Sequence, residues 1–510
     1  MTAAPHTHAR QMSPRRRWCF RLLAVVLGLL VLPLLELVCA AFGWGDIDLR
    51  NDPFVGFSGS TPLFEQTSDG RWWHTSPARR KFFAEEQFAA NKDDNEFRIF
   101  VLGGSTVQGR PWSIPTSLTT FLEQALTEAA PDRKWEVVNC GGISYASYRL
   151  VPILIECLQY EPDLVIVCTG HNEFLECITY ARVLQSSSLL KRSYSALESF
   201  HSFRLLTKLA RAVSGADAPD RRMSDSQTAV DAAGAVRLPA EVDAVLDHQG
   251  GLKEYTRAAL HRDLVVRQFG RNLQRMSDLC SAHQLPLLFL LPPSNLRDCP
   301  PFQSEFSGGT DSSTRRKIAD QLQQSAQQIA ASPSAAFREL KELVQLDPSF
   351  AFSWYRLGEA ALADHRYDEA REAFIRARDE DICSLRMTSA LEQSMRQTAA
   401  ATERPLLDLH QLLAERSRQN IVGDAVLADH IHPTMSSHQQ IALAVLEQLR
   451  KWIDLPPQED WNSAVREDFQ SRLQSLDDMY YLRGRRTLNV LRAWTEGRGD
   501  GPPLPKNNLP

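Results

Sequence analysis

The stretch that most constrains the fold of this chain spans residues 97–109. An apolar, partly β-branched run at 99–102 ends abruptly at Gly103 and Gly104, and Ser105 follows at once. This order predicts a buried strand that ends in a tight turn, because two glycines let the backbone bend sharply beside a small side chain. Ligands of open α/β sheets bind at the carboxyl ends of the strands, so we expect Ser105 at a functional edge.

Further apolar runs follow along the chain, with helical patterns between them. A regular alternation of strands and helices predicts a parallel sheet that is covered by helices on both faces. The predicted strands are 97–102, a short one ending at 139, 164–168, 286–291 and 406–408, and the predicted helices are 115–130, 148–159, 254–283 and 434–451.

A helical region without strands interrupts this alternation at 315–381. Its aromatic and small residues between Trp354 and Ala377 fall at the spacing of a tetratricopeptide helix pair, and Pro348 lies where a preceding repeat would end. An ordinary helical hairpin is the alternative. In either case we expect the region to bind a protein partner or to order the rim of the site.

The amino-terminal segment has the pattern of a membrane anchor. Four arginines between residues 15 and 21 precede a mostly apolar run at 22–42, which only Pro33 and Glu36 interrupt. This predicts a single-pass helix with the rest of the chain outside the cytoplasm. The alternative is a cleaved signal peptide with its small-residue site at 38–40.

Length and composition bound the remaining possibilities. The 510 residues are enough for two or three domains, and a net charge of -5 gives no electrostatic reason to expect nucleic acid as a partner. The nine cysteines include no CxxC pair, so the spacing of a zinc ribbon is absent. We predict a basic cytoplasmic segment at 1–21, a transmembrane helix at 22–42, a juxtamembrane linker at 43–95, an α/β domain in two parts at 96–300 and 401–455, a helical insertion at 301–400 and a helical tail at 456–510.

Four short polar blocks lie at 103–105, 139–144, 170–173 and 429–433. Their order, and the Asp-x-x-His spacing of the last block, resemble those of the SGNH hydrolases, which include the GDSL-type esterases and acetylhydrolases. The resemblance covers roughly 97–180, 285–300 and 400–450 of this chain. It implies a flavodoxin-like parallel sheet that carries the active site of a serine esterase.

The resemblance also implies a role for each block. Ser105 is the expected nucleophile, His432 the base that takes its proton, and Asp429 the carboxylate that orients the imidazole. The expected oxyanion hole consists of N–H groups from Ser105, Gly142 and Asn172. No cofactor and no metal are implied.

Simpler roles for the same residues stay open at this point. Ser105 is also placed to cap a helix, Asn172 to brace a turn, and Asp429 to act as an ordinary loop residue. His171 and His430 are expected to support the site or to be solvated.

The chain departs from the family pattern at three positions. Gly104 stands where the family has an aspartate before the serine, and Glu173 stands where it has an aspartate after the asparagine. In the commonest register the glycine of the second block falls on Ser144, although Gly142 is close. These changes put the geometry of the oxyanion hole in question and leave the triad intact.

Three other chemistries fit less well. Residues 104–111 nearly match a phosphate-binding loop, but Arg110 replaces its lysine and Pro111 removes the magnesium-binding hydroxyl. The G-x-S-x-G elbow fails because Val107 occupies the place of its last glycine. Asp429, His430 and His432 are possible zinc ligands without a further cluster at ligand spacing.

The sequence therefore predicts a membrane-anchored serine ester hydrolase that works through an acyl-serine. An acylated extracellular glycan is the expected type of substrate. Two alternatives keep the same fold: a scaffold that holds a partner through its helical repeats, and an acyltransferase.

Overall fold

The computed structural model describes most of the chain beyond the amino-terminal segment. The predicted membrane span at 22–42 lies largely outside the described residues, and among those described no helix is long and apolar enough to cross a membrane. The described residues are 61–176, 255–455 and 458–498, with shorter pieces that include 33–39, 55–57, 229–230 and 236–238.

The described strands form three sheets, and the central one carries the site. Its five strands are all parallel, in the order β11-β10-β7-β5-β6. The strands in chain order are β1 (Val55–Phe57), β2 (Phe64–Gln66), β3 (Trp72–Thr75), β4 (Gln87–Ala89), β5 (Glu96–Gly103), β6 (Lys134–Gly141), β7 (Leu164–Cys168), β8 (Ala229–Val230), β9 (Val236–Leu238), β10 (Leu287–Leu291) and β11 (Leu406–Asp408).

This sheet confirms the prediction of a parallel α/β domain. Counted along the chain, its strand order is the flavodoxin-like 2-1-3-4-5, with β5 as the first strand. The chain reverses its direction of winding between β5 and β7, and folds of this kind bind their ligands at that point. Residues 99–102 of β5 are completely buried, as expected for a strand with a neighbour on each side and helices on both faces.

The described helices pack around the sheet or extend from it. Helices α2 and α11 cover one face, where Phe121, Leu446 and strand residues such as Ile99 and Leu288 form one core. The helices are α1 (Ser105–Gln108), α2 (Leu118–Ala129), α3 (Ser147–Cys157), α4 (Ala259–Ala282), α5 (Ser312–Ala331), α6 (Pro333–Leu346), α7 (Ala351–Ala363), α8 (Tyr367–Glu380), α9 (Ser389–Ala401), α10 (Leu409–Ala414), α11 (Met435–Leu449), α12 (Gln458–Ser475) and α13 (Asp478–Arg498).

The segment before β5 differs from the predicted juxtamembrane linker over 43–95. From residue 61 onward it is folded, and β2, β3 and β4 form an antiparallel sheet. Phe88 of β4 is buried and meets Phe100 of β5 edge to face, with ring centroids 5.6 Å apart. The sequence did not indicate these strands because they are only three or four residues long and lie among turn-forming residues.

The helical insertion has its helices close to the predicted positions. Helices α7 and α8 pack against each other, and Gly358 of α7 lets the ring of Phe374 approach its backbone. Leu296 and Ile421 from the α/β domain belong to the same core as these helices. The insertion is therefore joined to the domain by a shared core, and its identity as a tetratricopeptide repeat stays a prediction.

Candidate active site

The turn after β5 presents Ser105 at the carboxyl edge of the sheet. The strand ends at Gly103, and Ser105 is the first residue of α1. A Cβ atom at Gly104 would lie 2.8 Å from Asn172 Nδ2, which is too close for an unshifted side chain. An aspartate at this position, as in the family pattern, would displace the Asn172 amide in this structure. This is a physical reason for the glycine at position 104.

Ser105, His432 and Asp429 form a continuous chain of hydrogen bonds. Ser105 Oγ donates to His432 Nε2 over 2.8 Å, and His432 Nδ1 donates to Asp429 Oδ2 over 2.7 Å. All three are buried, with 7%, 3% and 5% of their surfaces exposed. A carboxylate only accepts, so Asp429 fixes the proton of the neutral imidazole on Nδ1 and leaves Nε2 free to accept from the serine.

The loop around Asp429 is built to keep its carboxylate charged. Asp429 Oδ1 accepts from the backbone N–H groups of Ile431 and His432, each over 2.9 Å. Burial acts to raise the pKa of Asp429, but the histidine charges and these hydrogen bonds outweigh it and hold the pKa below its usual value. The carboxylate is therefore available to stabilise an imidazolium on His432.

Asn295 supports this loop, and the sequence analysis did not identify it. Its backbone N–H donates to His430 O over 2.9 Å, and its amide donates to Asp429 O over 3.1 Å and to Asp424 Oδ1 over 2.8 Å. Its position just past the fourth strand of the predicted sheet was the available signal. Asn295 is a positioning residue, because it contacts the loop and not the reacting atoms.

The amide of Asn172 lies beside the nucleophile turn, as expected. One of its hydrogens is engaged, because Nδ2 donates to Tyr145 O over 3.1 Å. An amide nitrogen carries two hydrogens, so the second stays available for a ligand. Ser105 is the first residue of α1, and this helix has no side-chain cap. The N–H groups in the first turn of a helix have no intrahelical acceptor, so the N–H of Ser105 is available for a ligand.

The expected contribution of Gly142 to the oxyanion hole is wrong. Its N–H donates to Gly103 O over 2.9 Å. This hydrogen bond joins the end of β5 to the residue after β6, so the N–H is not available to an oxyanion. Ser144 has a φ of 63°, the left-handed conformation that favours glycine. This is the residue on which the family glycine falls in the commonest register, and its N–H has no acceptor among the described residues.

The two other histidines near the triad are buried supports. His171 Nε2 donates to Pro293 O over 2.8 Å, and burial lowers the pKa of His171 to about 3. Burial also lowers the pKa of His430 to about 4, and its ring packs edge to face on Phe302. Both rings are therefore neutral at neutral pH and are poorly suited to exchange protons with a substrate.

Glu173 replaces the family's second aspartate and has a structural partner. Its carboxylate accepts from the backbone N–H and the hydroxyl of Ser147, each over 2.8 Å. Burial raises the pKa of Glu173 to about 7. The side chain fastens the start of α3 to the end of β7 and does not reach the triad through any described hydrogen bond.

Comparison with solved structures gives distant matches to this chain. No protein-family model and no curated protein matches the chain. A lipase/acylhydrolase from Enterococcus faecalis aligns at 11% identity and a TM-score of 0.30, covering 71% of this chain and 98% of its own. An acetylxylan esterase from Geobacillus stearothermophilus aligns at 10% identity and a TM-score of 0.29, covering 71% and 96%.

A protein described as a GDSL-like lipase from Parabacteroides merdae aligns at 10% identity and a TM-score of 0.32, covering 70% of this chain and 97% of its own. These names fall in the superfamily that the sequence motifs resemble. Likenesses at this level do not establish an activity, so the chemistry of this chain has to follow from its own side chains.

Proposed function

We propose that this protein is a serine ester hydrolase with Ser105 as the nucleophile. The observation that carries the proposal is the unbroken chain from Ser105 Oγ through His432 to the Asp429 carboxylate, with links of 2.8 and 2.7 Å. A serine hydroxyl attacks poorly unless a base removes its proton, and the arrangement supplies that base and its orienting carboxylate.

In the first half of the reaction, Ser105 Oγ bonds to the acyl carbon while His432 Nε2 takes the hydroxyl proton. The carbonyl oxygen becomes an oxyanion, for which the N–H groups of Ser105 and Ser144 and the amide of Asn172 are the proposed donors. When the C–O bond to the alcohol breaks, His432 returns the proton to the leaving oxygen. An acyl-serine and a free alcohol result.

In the second half, His432 takes a proton from water as the water oxygen attacks the acyl carbon. The bond to Ser105 Oγ breaks, the serine recovers its proton, and a carboxylic acid leaves. Because only 7% of Ser105 is exposed, a small acyl group such as acetyl is the proposed substituent. An acetylated extracellular glycan is the proposed substrate class, supported by the resemblance to acetylhydrolases and by the anchor-like amino terminus.

The test is covalent labelling of the full chain with an aryl organophosphonate. We expect one adduct on Ser105, and we expect p-nitrophenyl acetate hydrolysis to fall in step with labelling. The Ser105→Ala variant should take up no label and should not hydrolyse the ester. Peptide mass spectrometry locates the adduct. An adduct on another serine, or active protein that takes up no label, would contradict the assignment.

A further inference from the structure

Arg110 follows the short helix that begins with Ser105 and stays close to it. Its backbone N–H donates to Ser105 O over 3.1 Å, so the residue is tied to the nucleophile turn. Its side chain is half-buried. Among the described residues its guanidinium has no hydrogen bond and no ion pair, and none of its nitrogens is completely buried.

Three more deeply buried arginines have carboxylate partners. Arg98 donates to Glu136 over 2.5 Å, and Arg149 pairs with Glu176 over 2.6 Å. Arg378 is held by Glu392 over 2.6 Å. A buried or half-buried charge without a partner is costly, so the open guanidinium of Arg110 indicates a place for an anion that comes from outside the chain.

The guanidinium also lies near the triad. Burial lowers the pKa of Arg110 and the charge of Asp429 raises it, so the two groups are within electrostatic reach. Arginine stays protonated in proteins, and Arg110 is thus a cation at any working pH. Asp429 does not form an ion pair with Arg110. Its carboxylate already accepts hydrogen bonds from His432 and from two backbone N–H groups.

Helix α13 contacts the chain near Arg110 and near Asp429. Gly484 of this helix packs on the ring of Trp112, two residues beyond Arg110. Near the other end of α13, Arg492 donates to Ala428 O, next to Asp429, over 3.0 and 2.8 Å. The helix holds five arginines and two acidic residues, and three of the arginines are exposed without an ion pair to any described residue: Arg483, Arg485 and Arg486.

We infer that Arg110 binds a carboxylate of the substrate, and that the substrate is an acylated acidic glycan. The inference rests on the proposed function and names the substrate class of the same site. The planar fork of a guanidinium matches a carboxylate with two parallel hydrogen bonds, which gives orientation as well as affinity. A carboxylate held at Arg110 would set which ester of the glycan reaches Ser105.

The test compares acetylated oligogalacturonides with acetylated xylo-oligosaccharides of equal length, which differ in the carboxylate. We expect the wild-type protein to favour the acidic substrate in kcat/KM, and Arg110→Gln to reduce this preference about 10- to 100-fold, the loss of a charge-assisted pair of hydrogen bonds. Arg110→Lys should restore part of the preference, because it keeps the charge and loses the fork. Arg338→Gln, at an exposed site on α6, is the matched charge control and should leave the ratio unchanged.

Binding of unacetylated oligogalacturonide to Ser105→Ala protein separates this inference from the proposed function. Tight binding that Arg110→Gln weakens, with no turnover of any ester by wild type, would support the acidic ligand and reject the hydrolase. Equal turnover of both substrates, or a preference that survives Arg110→Gln, would overturn the inference and leave the hydrolase standing. Tighter binding of a sulfated oligosaccharide would overturn the assignment to a carboxylate.

Discussion

At the scale of single residues, the site is a set of hydrogen bonds with little room for substitution. Ser105 and His432 lie 327 positions apart in the chain and meet over 2.8 Å. Around them, buried His171 and Glu173 have hydrogen-bond partners outside the triad, and the ring of buried His430 packs on Phe302. The division between reacting and supporting groups can be tested one side chain at a time.

Asn172→Ala should lower kcat by about 10²–10³-fold, the usual cost of one oxyanion donor. KM should change little, because the bond strengthens only as charge develops on the carbonyl oxygen. His171→Ala should cost far less and should leave the acidic limb of the pH–rate profile in place. Steady-state kinetics of both variants on p-nitrophenyl acetate provide the check. If the acidic limb of the pH–rate profile disappears in His171→Ala and persists in His432→Ala, then His171 and not His432 is the catalytic base.

His438 should make folding stability depend on pH. Its Nδ1 accepts from the backbone N–H of Leu118 over 3.1 Å, and burial lowers the pKa of His438 from 6.5 to about 3. Between those values the unfolded chain binds a proton that the folded chain does not, so acid destabilises the fold. Relative to His438→Gln, the wild type should lose about 2 kcal/mol of unfolding free energy between about pH 7 and about pH 4.5.

Denaturant unfolding of both proteins at the two pH values gives this difference. The comparison cancels the contributions of the other buried histidines, and glutamine keeps an acceptor for Leu118. A difference in unfolding free energy that does not change with pH would contradict the assignment of a neutral, buried His438.

At the scale of elements, the helical insertion and the catalytic loop share supports. Arg386, which follows α8 in the chain, donates to Asn295 O over 2.9 Å and to Cys299 O over 2.7 Å, and it pairs with buried Asp381 over 3.3 Å. Asn295 in turn holds the loop of Asp429. The end of the insertion therefore braces the residue that braces the triad.

Arg386→Met should destabilise the protein by about 3–5 kcal/mol, since it leaves the Asp381 carboxylate buried without its cation. Burial raises the pKa of Asp381 to about 6 even with Arg386 in place, so the variant should recover some stability as acid protonates the carboxyl group. Chemical unfolding with Arg338→Met, at an exposed site on α6, as the control measures the effect. A loss no greater than in the control would show that the pair does not hold the two elements together.

At the scale of the whole molecule, the membrane anchor predicted from the sequence can be tested through its topology. The arginines before 22–42 predict a cytoplasmic amino terminus and an extracytoplasmic domain. A reporter that works only outside the cytoplasm should be active when it is fused after about residue 60. A reporter that works only in the cytoplasm should be inactive at the same position. A soluble mature form that begins near Phe42 would support the cleaved signal peptide, and a cytoplasmic signal would contradict both.

The sequence by itself determined the class of the fold and the identity of the triad candidates. Apolar runs of strand length, with Gly103 and Gly104 before Ser105, are local signals that need no knowledge of the folded chain. The Asp-x-x-His spacing of Asp429 and His432 is likewise local. The parallel sheet is confirmed, and the structure brings these three side chains into hydrogen-bonding contact.

Only the tertiary structure decided which N–H groups are free and which charges lack partners. Gly142 looked available in the sequence, but its N–H is taken by Gly103 from a neighbouring strand, and Ser144 has the backbone conformation of a glycine. Arg110 became informative because no described acidic residue pairs with it. Such properties depend on what the rest of the chain places beside a residue, because a hydrogen bond or an ion pair belongs to two partners that the sequence separates and the fold brings together.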